Sequence, residues 1–168
     1  MFVLSPLGVR TIREFEVEPL PPPEYRERAI FLGHDLLTQE VRVELVQHAR
    51  EQGKELTRWE TGPSVIVGVV RPDAVFNLPP PKRDSRGILE ADRGSEVREV
   101  WLKKQEKYTG LFTGETLYQT IGFGRGWVLA VTETVSRAPQ LTGWMNHERI
   151  RVMPIGTIGQ FVGEFGDW

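Results

Sequence analysis

The run Thr116-Leu117-Tyr118-Gln119-Thr120-Ile121, then Gly122-Phe123-Gly124-Arg125-Gly126, then Trp127-Val128-Leu129-Ala130-Val131-Thr132-Glu133-Thr134-Val135-Ser136 decides the fold class. Aromatic and β-branched residues crowd both flanks, the composition of strands, and three alternate glycines join them as a turn. Arg149-Ile150-Arg151-Val152-Met153 alternates charged and apolar residues, the two-residue period of a strand with one wet face. From residue 155 to residue 168, glycines at 156, 159, 163 and 166 are spaced like short hairpin strands and turns.

Upstream the reading is mixed. Glu14, Glu16 and Glu18 alternate with Phe15 and Val17, so residues 1–23 read as a strand followed by a proline-rich arm, Pro19 to Pro23. Leu37, Val41, Leu45 and Ala49 recur every four residues, the buried stripe of a helix from about Thr38 to Gln52. Val65-Ile66-Val67-Gly68-Val69-Val70 reads as a buried central strand. Residues 71–94 are polar and proline-interrupted and read as one long loop. Ser95 to Lys107 carries helix signals: a capping serine, early Glu96 and Glu99, and late Lys103, Lys104 and Lys107. The expected fold is therefore α+β in one domain, residues 1–168. It is a mainly antiparallel twisted sheet, or a partly open β-barrel, with one or two helices packed on one side.

Composition narrows the function. The net charge of −2 argues against a body that is wholly an electrostatic trap for nucleic acid or membrane. The absence of cysteine removes disulfides, thiolate catalysis and cysteine-ligated zinc. No apolar run approaches the ~18 residues of a membrane span, so the cytoplasm (of the cell, or of a host) is the expected setting. His34, His48 and His147 show no metal-ligand spacing, and neither a metal nor a cofactor is expected. No nucleophile elbow or P-loop lysine is present.

Two binding surfaces remain. Phe123, Arg125 and Trp127, with Lys103, Lys104 and Lys107, offer stacking faces and charge for single-stranded nucleic acid. Trp144, Phe165 and Trp168 make the last third rich in aromatic residues of the kind that anchor protein interfaces. Arg125-Gly126-Trp127 loosely resembles the basic-glycine-aromatic core of the RNA-recognition-motif signature, and the loop resembles the glycine-rich loop of CRISPR repeat-binding proteins. Val128 and Leu129 stand where the next aromatic of the first signature belongs, and no membership is assigned. The expected role is a non-enzymatic binding or assembly subunit of a bacterial or phage complex, docking on a protein partner or on itself. A single-stranded nucleic-acid binder comes second and a small hydrolase of unknown type third.

Sixteen Arg against five Lys, only two Asn, no Cys and prolines clustered in loops are a composition seen in thermophiles. The thermal midpoint is expected above ~65 °C, the top of the range for mesophile domains. Calorimetry checks this, and a midpoint near ~50 °C would remove the thermophile reading.

Overall fold

The computed structural model describes residues 22–62, 65–78, 86–113 and 126–164. The chain divides into two compact units, Met1–Gly33 and His34–Trp168. In chain order the described elements are α1 (Pro22–Glu51), β1 (Arg58–Thr61), β2 (Ala74–Asn77), β3 (Arg86–Asp92), α2 (Arg98–Thr113), β4 (Trp127–Thr132), α3 (Arg137–Trp144) and β5 (Ile150–Pro154). A 3-10 turn, Ile155–Thr157, then leads into α4 (Ile158–Glu164). The fold is α+β, and its five-stranded sheet is open rather than closed into a barrel.

Strand order follows chain order, β1-β2-β3-β4-β5. The first two pairings are antiparallel and the last two parallel. The parallel half exists because α2 and α3 are crossovers: a chain returning to the same edge of a strand needs a helix-length connection.

Helices cover both faces of the sheet, not one. Val75, Ile88, Val128, Ala130 and Ile150 pack on one face against Trp101, Tyr108 and Leu111 of α2 and Leu141 of α3. Ala74, Phe76, Leu89, Ala91, Leu129 and Val131 pack on the other against α1 and α4. The α1 stripe Leu37, Val41, Leu45 and Ala49 is fully buried there, as its spacing requires. Each such leucine or valine contributes about 1.5–3 kcal/mol, and the outer faces of the helix mix charged residues with exposed Leu36 and Val43.

Several expectations are corrected. Residues 71–94 hold two strands, β2 and β3, where a polar loop was expected. Their apolar runs, Ala74 to Phe76 and Ile88 to Leu89, are too short to stand out among the charges between them. Val65 to Val70 is no strand: Val67 and Val70 exchange backbone hydrogen bonds of 2.9 and 3.0 Å across a tight turn, and Ile66 and Val69 point to solvent. The helix expected from about Thr38 begins earlier, at Pro22, and the Thr38 hydroxyl donates to the His34 carbonyl within it.

Over residues 155–164 the expected hairpin tail is instead the 3-10 turn and α4. Gly159 serves packing there: a Cβ on it would lie 2.9 Å from the His48 ring of α1. The expected N-terminal strand, the arm up to Pro21 and the strand 116–121 fall outside the described residues.

Gly87 is the tightest point of the core. It pairs with Phe76 across β2 and β3, and a Cβ there would lie 2.1 Å from the Phe76 ring. Gly87→Ala is therefore expected to cost at least the ~1–3 kcal/mol of an overpacked core. Gly87→Ala with Phe76→Leu should recover part of that loss. Urea denaturation checks both, and a neutral Gly87→Ala would mean the ring moves freely.

Candidate functional site

The site grows from the alternation of β3. Gly87, Leu89 and Ala91 face α1, so Ile88, Glu90 and Asp92 face α2 and α3. Two carboxyl groups thus enter the interior at the carboxyl ends of the parallel strands, where Asp92 pairs with Thr132. In open sheets with parallel strands, ligands bind beyond those strand ends.

Glu90 is the centre. Its side chain is 2% exposed. One carboxyl oxygen accepts from Lys104 Nζ at 2.8 Å, and the other accepts from the Tyr108 hydroxyl. Lys104 and Tyr108 stand four apart on α2 and so share a helix face. Lys104 also lies 4.5 Å above the Trp101 ring and donates to both oxygens of Glu96 at 2.9 and 2.8 Å.

Asp73, just before β2, closes the site from the neighbouring strand. Its backbone N–H donates to Leu89, and its carboxylate accepts the Ala91 N–H at 2.7 Å. The other oxygen meets His34 Nε2 at 2.7 Å, which brings α1 to the same place. Asp73 is 21% exposed and His34 38%, so solvent reaches this side of the cluster.

The electrostatics show that the groups act on one another. Burial pushes the Glu90 carboxyl up to about 7, and the Asp73 carboxylate pushes the same way against Lys104 and Tyr108. The hydrogen bond to Asp73 holds His34 above its ordinary value, against burial. Burial pulls Lys104 down, but Glu90 and Glu96 outweigh it and hold it raised. Desolvation, then the Glu90 charge, drives Tyr108 well above the usual phenol range.

A clamp supports the cluster. Arg137 at the start of α3 donates to buried Asp92 at 2.6 Å, to the Glu96 carbonyl at 2.6 Å and to Gln140 at 2.7 Å. It therefore fixes the segment that carries Glu96.

Among the described residues singled out from sequence, Lys104 alone enters this cluster. Lys103 and Lys107 are exposed on α2, while Lys104 turns inward to the carboxylates. Trp127 opens β4 opposite Gly87, at the far end of the sheet, and Arg151 lies 5.9 Å from its ring. Asp92 lies five steps along the strand from Gly87, roughly 17 Å. Trp144 is half-buried beneath Arg137, 4.8 Å away. Phe123, Arg125, Phe165 and Trp168 fall outside the described residues.

Sequence reasoning missed Asp73 and Glu90, which lay inside the supposed loop. The available signal was the alternation Ile88, Glu90, Asp92, together with Lys104 at helical spacing between Trp101 and Tyr108. Among the described residues no three His, Asp or Glu side chains converge as a metal cage, and no helix is long and apolar enough to cross a membrane.

An α+β protein with a carboxylate–lysine–histidine centre at the carboxyl ends of its parallel strands is the class that these features define. The chain belongs to the replication-relaxation family, whose model matches residues 1–124, and is on that ground a replication-related protein. The matched span takes in His34, Asp73, Glu90, Glu96, Lys104 and Tyr108 and stops short of Arg137. No curated protein and no solved structure matches the chain.

The Glu90 carboxyl has an ordinary value of 4.5 and is raised to about 7 by folding. Its contribution to stability is then full below about 4.5 and lost as pH rises through about 7. In metal-free buffer, native protein should lose more stability between pH 5 and pH 8 than Glu90→Gln, whose amide does not titrate. His34 is also raised, but it is present in both proteins and cancels in the comparison. Equal pH slopes in urea denaturation would show that another group titrates.

Proposed function

We propose that this chain cleaves phosphodiester bonds of DNA in a replication system, with Asp73, Glu90, Lys104 and His34 as its catalytic centre. The observation that carries this is Glu90, a carboxyl buried at the carboxyl ends of the strands beside Asp73 and anchored by a lysine. A carboxyl kept there with a raised proton affinity is the kind of group that catalytic sites retain.

Phosphodiester hydrolysis needs charge stabilisation on the phosphate, an activated water and a proton for the leaving oxygen. Asp73, the part-exposed carboxylate, would supply an anionic oxygen for a divalent cation, with Glu90 behind it holding Lys104 in place. Magnesium commonly takes one or two carboxylates, with waters and substrate oxygens completing its shell, so a full protein cage is not required. Lys104 adds a positive charge beside these carboxylates. His34, held by Asp73 and open to solvent, is placed to give or take a proton. The family to which the chain belongs supplies the setting.

A second reading keeps the chain as a non-enzymatic subunit docking in a replication complex. What favours it is the exposure of Val97, Val100 and Leu102 around the start of α2.

The experiment is plasmid nicking and oligonucleotide cleavage with magnesium or manganese. Native protein should cleave, and Asp73→Asn should lower the rate at least ~100-fold, the usual scale for an essential acid–base or electrostatic group. Absence of cleavage by native protein on single- and double-stranded DNA would favour the docking role. Cleavage that survives in Asp73→Asn would place the chemistry elsewhere.

A further inference from the structure

We infer that the Lys104 ammonium is the receptor for a DNA phosphate oxygen, and that Glu96 fills that place in the free protein. The inference takes its ligand class from the phosphodiesterase reading and adds a site and an occupant to it.

Lys104 Nζ is shared by two carboxylates that differ in every respect that matters for exchange. Glu90 is buried, and both its oxygens are tied, one by Lys104 and one by Tyr108. Glu96 is 34% exposed and lies on the solvent side of the ammonium, with both oxygens on the one nitrogen. A carboxylate in that pose presents two oxygens to the lysine as a phosphodiester presents its two non-bridging oxygens.

Charge also favours an exchange. In the cation-free protein Asp73, Glu90 and Glu96 outnumber Lys104 and His34, so an arriving phosphate meets less repulsion once one carboxylate leaves. Glu90 cannot leave, since it would have to be carried out of the core. Glu96 can, because a part-exposed ion pair is weak. Arg137 holds the Glu96 carbonyl at 2.6 Å, so the backbone stays and only the side chain swings. Displacement is then a rotamer change on the rim of the site rather than a loop opening.

The test is a double-mutant cycle read by fluorescence anisotropy, using a short labelled duplex DNA with calcium at low ionic strength. Glu96→Gln keeps the shape and removes the charge, and should bind roughly fivefold tighter than native protein. In a Lys104→Met background the same change should bring no gain. If Lys104→Met does not fold, Lys104→Gln, which keeps a donor toward Glu90, takes its place. No gain in Glu96→Gln, or an equal gain without the lysine, overturns the inference, since Glu96 then acts only as surface charge or not at all. Cleavage is followed separately with magnesium. A lysine-dependent gain without cleavage supports the phosphate site and sinks the phosphodiesterase, whereas cleavage without the gain does the reverse. Failure of all four proteins to bind the duplex overturns both.

Discussion

A carboxyl group that folding takes wholly out of water must be met by donors, and Glu90 imposes that requirement on the elements around it. The penalty for a lone buried carboxylate is several kcal/mol, and one partner rarely offsets it. Two donors from one helix face, Lys104 and Tyr108, meet it here, and they fix both the register and the height of α2 over β3. Two residues on along the same strand face, Asp92 repeats the problem, and Arg137 of α3 answers it. The two crossover helices are thus tied to one strand by ionic contacts, at the end where apolar packing gives out.

The apolar layers do the rest of the positioning. Leu89 and Ala91 point to α1 while Glu90 and Asp92 point to α2 and α3, so β3 is oily on one face and charged at the end of the other. Asp73 lies between these layers. Its backbone pairs with Leu89, its carboxylate caps the Ala91 N–H, and its second oxygen recruits His34 from α1. Elements far apart in sequence therefore deliver their chemistry to one end of the sheet, because β2 runs against β3 and begins where β3 ends.

Legibility in the sequence followed the length of the signal. The α1 stripe, repeated over thirteen residues from Leu37 to Ala49, and the run Trp127 to Thr132 could both be read. The strands β2 and β3 could not, since each shows only two or three consecutive apolar residues and a charged stretch separates them. Lys104 reads with Lys103 and Lys107 along the chain, but not around the helix. Its place three residues after buried Trp101 and four before buried Tyr108 sets it on the inner face. The glycines of the tail suggested turns, yet Gly159 lies within a helix because the His48 ring occupies the space of a side chain. Close approach, rather than backbone freedom, explains that glycine, and only a neighbour distant in sequence reveals it.

The cluster is a poor choice if stability were its purpose. Replacing a buried ion pair by apolar groups of similar volume is often neutral or stabilising, whereas removing one partner alone is severe. Glu90, Lys104 and Tyr108 keep a carboxyl that burial pushes to about 7, so near neutral pH the site holds a charge that the surrounding core opposes. An interior that needed only to pack would fill this space as it fills the space around Ile88 and Val128, with aliphatic side chains. The carboxyl stands instead where the strands end, beside the part-exposed Asp73 and His34, with Glu96 at the rim. That placement couples a charge buried in the core to groups that solvent can reach, as an acid–base or electrostatic task would require.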